Sequence, residues 1–284
     1  MLAIVESLDH NPIFLGGSMK SPIRWAGSKK ALLPMLRQYW QGGEGRYIEP
    51  FCGSACLFFD LEPKEALLGD LNGELISAYN TIGAQPMRVF ECLMRLPINK
   101  KTYYRLRSIK PDGLSDSERA ARFLYLNRLA FNGIYRTNKS GQFNVPYGKP
   151  KSRVKFGFEE LMAAATLLKR AALMHCDFET MLSAARSEDF VYLDPPYAVS
   201  ARRIFAEYHP DTFSEKDLER LQNSLVGLNR LGAKFVISYA DSAEGRALVR
   251  PWNHKRIRTK RNVAGFVGAR RTAYEVVATN LELH

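Results

Sequence analysis

The stretch Phe190-Val191-Tyr192-Leu193-Asp194-Pro195-Pro196-Tyr197 joins an uninterrupted apolar run to an acid, two prolines and an aromatic ring. Apolar runs this short that stop at a turn signal are typical of strands buried in a parallel sheet. Open α/β sheets bind their ligands at the carboxyl ends of such strands. The stretch therefore predicts an α/β fold and puts Asp194 to Tyr197 at a candidate site.

Other short apolar runs extend the predicted sheet. They lie at residues 46–49, 66–69, 173–176 and 234–238, and a longer run at 274–281 predicts a final hairpin strand. Between these runs, apolar residues recur at helical spacing, as in the series Phe158, Leu161, Met162, Ala165 and Leu168. The alternation of strands and helices predicts a Rossmann-like fold, in which helices cover both faces of a mostly parallel sheet.

The middle of the chain departs from this alternation. Residues 86–152 are typical of helices followed by a hairpin around Lys139-Ser140-Gly141-Gln142, and we expect them to form an inserted second domain. The main domain would then consist of residues 20–85 and 153–284. Residues 1–19 contain Gly16, Gly17 and Ser18 near their end and predict a flexible N-terminal extension.

Composition limits the class of protein. With 46% hydrophobic and 25% charged residues, the 284-residue chain has the profile of a globular protein. No apolar run is long enough for a transmembrane helix, and the first residues lack the basic start of a secretory signal. The four cysteines, Cys52, Cys56, Cys92 and Cys176, do not follow the usual zinc-ligand spacings, which favours free thiols in a reducing cytoplasm and no metal site.

The charge balance favours a polyanionic partner. Lys and Arg outnumber Asp and Glu by 41 to 29, which gives a formal net charge of +12. Such a surface suits nucleic acid or, less often, an anionic membrane. Charge alone leaves that choice open, and the motifs decide it.

Asp194 to Tyr197 carry groups that suit an exocyclic aromatic amine. Two consecutive prolines fix two φ angles and leave carbonyl oxygens as acceptors, Asp194 adds a carboxylate, and Tyr197 offers a ring. An aromatic amine is a weak nucleophile because its lone pair is delocalised, and acceptors for both N–H groups favour a tetrahedral nitrogen. A base in a duplex must also swing out, and stacking offsets part of that cost. Alone, the four residues also fit a proline-rich loop after a buried strand.

Two further motifs lie near the first predicted strands. In Glu49-Pro50-Phe51-Cys52-Gly53-Ser54, Gly53 would let a ligand approach the backbone, and the following helix N-terminus favours a carboxylate. An ordinary strand-to-helix turn explains this motif equally well. Asp70 ends the second strand, where an acid commonly accepts from ribose hydroxyls, although a helix cap is the alternative. In Arg24-Trp25-Ala26-Gly27-Ser28-Lys29 the Trp could line a pocket or belong to the core.

In this order, the motifs resemble those of the Dam family of adenine-N6 DNA methyltransferases, the D12 class, over residues 23–280. The resemblance implies a Rossmann-like methyltransferase core, S-adenosylmethionine as cofactor, and a target adenine held by Asp194, Pro195, Pro196 and Tyr197. The cofactor contacts that it implies are Trp25, Gly27, Lys29, Pro50, Phe51, Gly53, Asp70, Asp177, Phe178 and Asp194. Ser28 and Ala55 stand where the family usually has glycine, which bears on cofactor affinity.

The inserted segment resembles the family's DNA-recognition part, with a helix-to-loop reader at residues 126–136 and a hairpin at residues 142–148. Arg136 can pair with a guanine edge and Asn132 with adenine, while Phe131 or Ile134 can wedge into the base stack. Alternatively, Asn132 and Gly133 only form a turn. Arg24 stands where family members have a base-contacting Lys. The residues expected at DNA from this part are Arg24, Arg128, Phe131, Asn132, Gly133, Ile134, Arg136, Asn138, Lys139, Asn144 and Pro146.

A basic run at residues 254–261 predicts part of a strand with one cationic face. We expect phosphate contacts from Arg258, Lys260, Arg261, Arg270 and Arg271, although a solvated surface explains any single one of them.

These residues together predict an enzyme that transfers a methyl group from S-adenosylmethionine to N6 of a flipped-out adenine at a specific site in double-stranded DNA. Cytosine-N4 methylation stays open because the same clamp suits that amine, and an inactive methylase-like DNA-binding module is the alternative outside enzymes. We expect a cytoplasmic protein that is bound to the nucleoid through DNA. The sequence leaves open the recognition site, a cognate restriction endonuclease, and the choice between monomer and homodimer.

Overall fold

The computed structural model describes residues 19–41, 45–138, 140–150, 154–197, 213–262 and 270–282. At residues 260–262 and 270–272 it describes the backbone but not the side chains. The predicted N-terminal extension lies outside the described residues except for Met19.

Seven strands and ten α-helices form within the described part. The strands are β1 (Tyr47–Glu49), β2 (Ala66–Asp70), β3 (Ala171–His175), β4 (Phe190–Leu193), β5 (Lys234–Ala240), β6 (Asn253–Asn262) and β7 (Arg270–Thr279). The helices are α1 (Leu33–Leu36), α2 (Cys56–Leu61), α3 (Gly73–Ala84), α4 (Pro86–Met94), α5 (Lys100–Ser108), α6 (Asp116–Leu129), α7 (Phe158–Leu168), α8 (Phe178–Leu182), α9 (Glu215–Leu231) and α10 (Ala243–Val249).

The seven strands form one sheet in the order β3-β2-β1-β4-β5-β7-β6. The first five of these are mutually parallel, and β7 runs antiparallel to both β5 and β6. This confirms the Rossmann-like α/β fold with a mostly parallel sheet. The strand predicted at 274–281 starts earlier, at Arg270, and the basic run predicted as part of a strand is β6, at the sheet edge.

Side chains alternate between two cores on opposite faces of the sheet. In β1, Tyr47 packs into one core and Ile48 into the other, and in β4 Tyr192 and Val191 divide in the same way. A strand buried on both faces reads as an unbroken apolar run, which is why β4 is apolar throughout. The first core is covered by α2 to α7 and the second by α8 to α10.

The segment 86–152 has no core of its own in the described part of the chain. Val89 of α4, Tyr103 of α5 and Leu124 of α6 belong to the same hydrophobic cluster as Tyr47 of β1. Helix α6 lies against α3 and α4, and α3 lies against α7. The predicted domain boundaries at 86 and 152 stay a prediction, but the packing joins this segment to the sheet.

The chain order creates a crevice in the middle of the sheet. From β1 the chain moves outward through β2 to β3 and then returns to β4, which lies on the other side of β1. The loops after β1 and β4 therefore leave in opposite directions, and ligands bind at such a reversal. None of the helices in the described ranges is long and apolar enough to span a membrane.

Candidate active site

The loops that follow β1, β2, β3 and β4 surround a cavity of about 720 Å³ at the crevice. All residues predicted to contact the cofactor or the target base line this cavity, namely Trp25, Gly27, Lys29, Pro50, Phe51, Gly53, Asp70, Asp177, Phe178, Asp194, Pro195, Pro196 and Tyr197. Cavities of this size with aromatic walls and a few polar groups are typical of small-molecule sites.

Lys29 and Asp194 form an ion pair in this cavity. Lys29 Nζ lies 2.6 Å from Asp194 Oδ1 and 3.8 Å from Glu275 Oε2, and the Lys29 side chain is 6% exposed. Burial disfavours the ammonium ion, but Asp194, Tyr197 and Glu275 outweigh burial, so the pKa of Lys29 is raised. Burial raises the pKa of Asp194, and the charge of Lys29 partly opposes that rise. The hydroxyl of Ser238 on β5 also donates to Asp194 Oδ1, at 3.2 Å.

Tyr197 presents a ring beside this pair. The half-buried ring packs edge-on against Tyr239 of β5 with centroids 5.2 Å apart, and Lys29 Nζ lies 5.7 Å from its centroid. Pro195 is buried and Pro196 is exposed. The acid and the ring therefore both line the cavity.

The loop after β1 is held by Asp70 at the end of β2. Asp70 Oδ2 accepts from the Gly53 amide at 3.0 Å, and Asp70 Oδ1 accepts from the Asn72 amide at 2.9 Å. Asn72, not Asp70, caps α3, since its side chain accepts from Leu75 N. Gly53 has φ +46°, and a Cβ there would lie 2.6 Å from the Trp25 ring. The glycine is thus required by the packing of Trp25 as well as by its backbone conformation.

Two acids and a hydroxyl at the site were not predicted from the sequence, namely Glu49, Glu275 and Ser238. Glu49, the last residue of β1, lines the cavity and accepts from the hydroxyl of Tyr47 at 2.8 Å. Burial raises its pKa well above the usual value, although the Tyr47 hydrogen bond opposes this. Glu275 is an acid inside the apolar run of β7, and that interruption was the available signal. Nothing in the sequence marked Ser238, because its role depends on β5 lying beside β4.

One end of the cavity is aromatic. The centroid of Phe178 lies 5.3 Å from that of Phe51 and 6.2 Å from that of Phe213. Asp177 stands next to them and caps α8, since its Oδ1 accepts from Glu179 N at 3.0 Å. Flat apolar walls with a carboxylate beside them suit a purine that carries an amino group.

Arg24 is held by a buried asparagine of α6. Asn127 Oδ1 accepts from Arg24 N at 2.8 Å, and Asn127 Nδ2 donates to Arg24 O at 2.6 Å. The exposed side chain of Arg24 packs against Gly133, where a Cβ would lie 3.1 Å from Arg24 Cβ. Two segments far apart in sequence thus meet at the predicted reader loop.

The reader loop and the hairpin form one connected surface. Phe131 is 40% exposed, and its amide donates to Pro146 O at 2.9 Å. Arg136 Nε donates to Asn144 Oδ1 at 2.9 Å. Asn132 is exposed and has φ +54°, so it forms the turn that the sequence left as an alternative, while its side chain stays accessible. Ile134 is half-buried.

Asn138 shapes the hairpin, since its Oδ1 accepts from the amides of Ser140 and Gln142, both at 3.0 Å. Tyr135 joins this surface to the first cavity. It lines both that cavity and a second one of about 790 Å³ beside the hairpin. Its ring stacks on Trp25 with centroids 5.5 Å apart and an angle of 20°.

The remaining predicted DNA contacts fall elsewhere. Arg128 is half-buried, and its guanidinium lies 6.0 Å from the centroid of Phe156, so it packs α6 against another segment. Arg258 is exposed on the edge strand β6, opposite Tyr274. The predictions for Lys139 and for the side chains of Lys260, Arg261, Arg270 and Arg271 lie outside the described residues.

The chain is similar to known DNA methyltransferases. The family described as D12 class N6 adenine-specific DNA methyltransferase matches residues 25–263. A type II methyltransferase of Lactococcus lactis subsp. cremoris is 34% identical over 90% of this chain and 94% of its own length. The retron Ec67 DNA adenine methylase of Escherichia coli is 31% identical over 92% of both chains. The DNA adenine methylase of Escherichia coli strain K12 is 29% identical over 90% of this chain and 93% of its own.

Proposed function

The chain belongs to the D12 class of N6 adenine-specific DNA methyltransferases, and we propose that its cavity binds S-adenosylmethionine and the target adenine side by side. One observation carries this proposal. The loops after four neighbouring strands, together with Trp25 and Lys29, surround a single cavity that contains the Lys29–Asp194 pair. The enzyme transfers a methyl group to adenine in DNA, and the assignment of residues to each step is our proposal.

The residues of the cavity fit the cofactor in the order of its chemical parts. Phe51, Phe178 and Asp177 would hold the adenine base, because they combine apolar walls with an acceptor for its amino group. Asp70 would accept from the ribose hydroxyls, as an acid at the end of a second strand commonly does. Trp25 and the loop 50–54 would enclose the methionine part. When bound, S-adenosylmethionine supplies an electrophilic methyl group on a sulfonium ion.

The remaining wall suits the target adenine. Asp194 and the carbonyl oxygens beside it would accept from both hydrogens of the exocyclic amine, and this favours a lone pair directed at the methyl group. The ring of Tyr197 would stack on the extruded base and offset part of the cost of leaving the duplex. Asp194 has a raised pKa and is therefore suited to take the proton that the amine loses after transfer. Catalysis then depends on alignment and on fixed polar groups.

The surface formed by Arg24, the loop 131–136 and the hairpin would read double-stranded DNA. Arg24 and Asn132 are exposed there, and Arg136 lies 2.9 Å from Asn144, so a base edge would have to replace or share that hydrogen bond. Phe131 is the large exposed apolar side chain of this loop and would fill the space left by the extruded base.

Incubation of the purified protein with S-adenosylmethionine and unmodified genomic DNA, followed by long-read mapping of modified bases, tests the proposal. We expect N6-methyladenine confined to one short motif and none with Asp194→Ala. Asp116→Asn, at an exposed position at the start of α6, is the matched control and keeps full activity. N4-methylcytosine at a motif would contradict the choice of base. Tight specific DNA binding without cofactor binding would favour an inactive module.

A further inference from the structure

Arg220 of α9 joins three acids next to the aromatic end of the cavity. Its Nη2 donates to Asp177 Oδ1 and to Glu179 Oε2, both at 2.6 Å, and its Nη1 donates to Asp217 Oδ1 at 2.8 Å. Its guanidinium carbon also lies 4.8 Å from the centroid of Phe178. One side chain thus fixes the start of α8 against the start of α9. Arg220 belongs to none of the motifs discussed above.

These contacts determine how Asp177 is oriented. Within the described ranges, both hydrogen bonds to the Asp177 carboxylate end on Oδ1, one from Arg220 and one from Glu179 N. The side chain lines the cavity and is 33% exposed, so Oδ2 is the oxygen left for a ligand. Without Arg220, three carboxylates within reach of one another would repel, and only the Glu179 amide would remain to hold the Asp177 carboxylate.

We propose that Arg220 is a positioning residue that makes the cofactor site selective for a 6-aminopurine, by holding Asp177 so that Oδ2 accepts from the amino group. The inference rests on the proposed function, since it requires the cofactor's adenine to lie at this end of the cavity. A 6-oxopurine presents an oxygen at the same place, and a fixed carboxylate repels it. A carboxylate that is free to rotate can turn away, so selectivity depends on the arginine.

Binding of S-adenosylhomocysteine and of its 6-oxo analogue S-inosylhomocysteine, measured by titration calorimetry on the full chain, tests this. We expect the wild type to prefer the adenosyl ligand by about tenfold or more, the contribution of one charge-assisted hydrogen bond. Arg220→Met should reduce this preference to about threefold or less, mainly by weakening the adenosyl ligand. Arg220→Lys, which can still pair with one acid, should retain part of the preference.

A double-mutant cycle shows whether Arg220 acts through Asp177. Asp177→Ser keeps a good helix cap but removes the group that reaches the ligand, and it should lower the preference as Arg220→Met does. In that background, Arg220→Met should change the preference no further. Arg246→Met is the matched control, since Arg246 also pairs with an aspartate, Asp241, but lies outside the cavity. The Arg246→Met variant should prefer the adenosyl ligand as strongly as the wild type does.

Three results would overturn the inference, and they differ in what else they contradict. If Arg220→Met weakens both ligands equally, Arg220 only supports packing, and the cofactor assignment survives. If the wild type binds both ligands equally well, Asp177 does not read the amino group. If the wild type binds neither ligand, the proposed cofactor site is wrong, and the inference fails with it. Thermal melting of each variant verifies that it is folded.

Discussion

Lys29 lies 2.6 Å from Asp194 and opposes the rise in its pKa that burial causes. Asp194 must be ionised to accept from the target amine, so loss of the Lys29 charge has a predictable sign. We expect Lys29→Met to raise the pKa of Asp194 and to move the acid limb of the pH–rate profile to higher pH. At neutral pH the rate should fall by roughly a hundredfold or more, the usual effect of losing one fixed polar group. Single-turnover rates between pH 5 and 9 measure both effects.

Ser238→Ala serves as the comparison, because it removes the weaker hydrogen bond to the same oxygen. It should shift the acid limb in the same direction but by less. An acid limb that stays in place in both variants would mean that Asp194 does not control the rate.

Glu49 is fully buried, and its pKa is raised well above the usual value of the carboxyl group. Consider pH values between the pKa of Glu49 in the unfolded chain and its higher pKa in the folded protein. In this range the native state binds more protons than the unfolded state, so the free energy of unfolding falls as pH rises. Glu49→Gln removes this titration and still accepts from Tyr47. We expect its urea midpoint to fall less than that of the wild type from pH 5 to pH 8. The pKa values of Asp194 and Asp70 are also raised, so the urea midpoint of the variant should still fall with pH, but less steeply.

Glu159→Gln, at an exposed position of α7, is the control for this measurement and should follow the wild-type curve. If the Glu49→Gln curve runs parallel to the wild type, Glu49 does not titrate in this range.

At the level of single residues, the sequence placed Asp70 and Asp194 at the cavity, because the carboxyl end of a parallel strand is itself a ligand position. Asp177 came from the family resemblance, and it too lines the cavity. Ser238 and Glu275 were not found, since their place at the site depends on β5 and β7 lying beyond β4, and local patterns do not specify which strands are neighbours.

Among elements, the segment before α1 and helix α6 are joined by Asn127 and the backbone of Arg24. Asn127→Ala leaves one backbone N–H and one C=O without their partner. We expect a loss of about 1–3 kcal/mol in the free energy of unfolding, measured with urea, because two hydrogen bonds are lost and each contributes about 0.5–1.5 kcal/mol. DNA affinity should fall as well, since Arg24 loses its fixed position.

Asn80→Ala is the matched control, because Asn80 is exposed on α3. It should change stability by less than about 0.5 kcal/mol. Equal effects of the two substitutions would show that the Asn127 hydrogen bonds contribute nothing.

The positions of strands and helices along the chain were largely predictable, but which of them pack together was not. Runs 66–69 and 234–238 differ from β2 and β5 by only a residue or two, because two buried faces leave a clear apolar signal. The sequence predicted helices in the segment that contains α4 and α6 but did not show that these helices share the core that contains Tyr47. Periodicity identifies which face of a helix is buried, not what covers it.

The whole molecule carries a formal net charge of +12, which makes DNA affinity dependent on salt. If six to ten phosphates are neutralised, affinity should fall by roughly a thousandfold or more between about 50 mM and about 200 mM salt. Fluorescence anisotropy with a labelled duplex measures the slope of the logarithm of the binding constant against the logarithm of the salt concentration. Arg258→Gln should reduce the slope by about one unit and weaken binding equally for specific and nonspecific DNA. A slope near zero would contradict a phosphate-dominated interface.

The common core of segment 86–152 and the sheet bears on how such an enzyme changes its target sequence during evolution. A reader with its own core could be exchanged between relatives as a cassette, with the rest of the enzyme unchanged. Here an exchange would replace Val89, Tyr103 and Leu124 together with the reading loop, and a chimera would have to repack the interior that supports catalysis. New specificities should therefore arise by single substitutions at exposed positions such as Phe131 and Asn132 and not by recombination of whole readers.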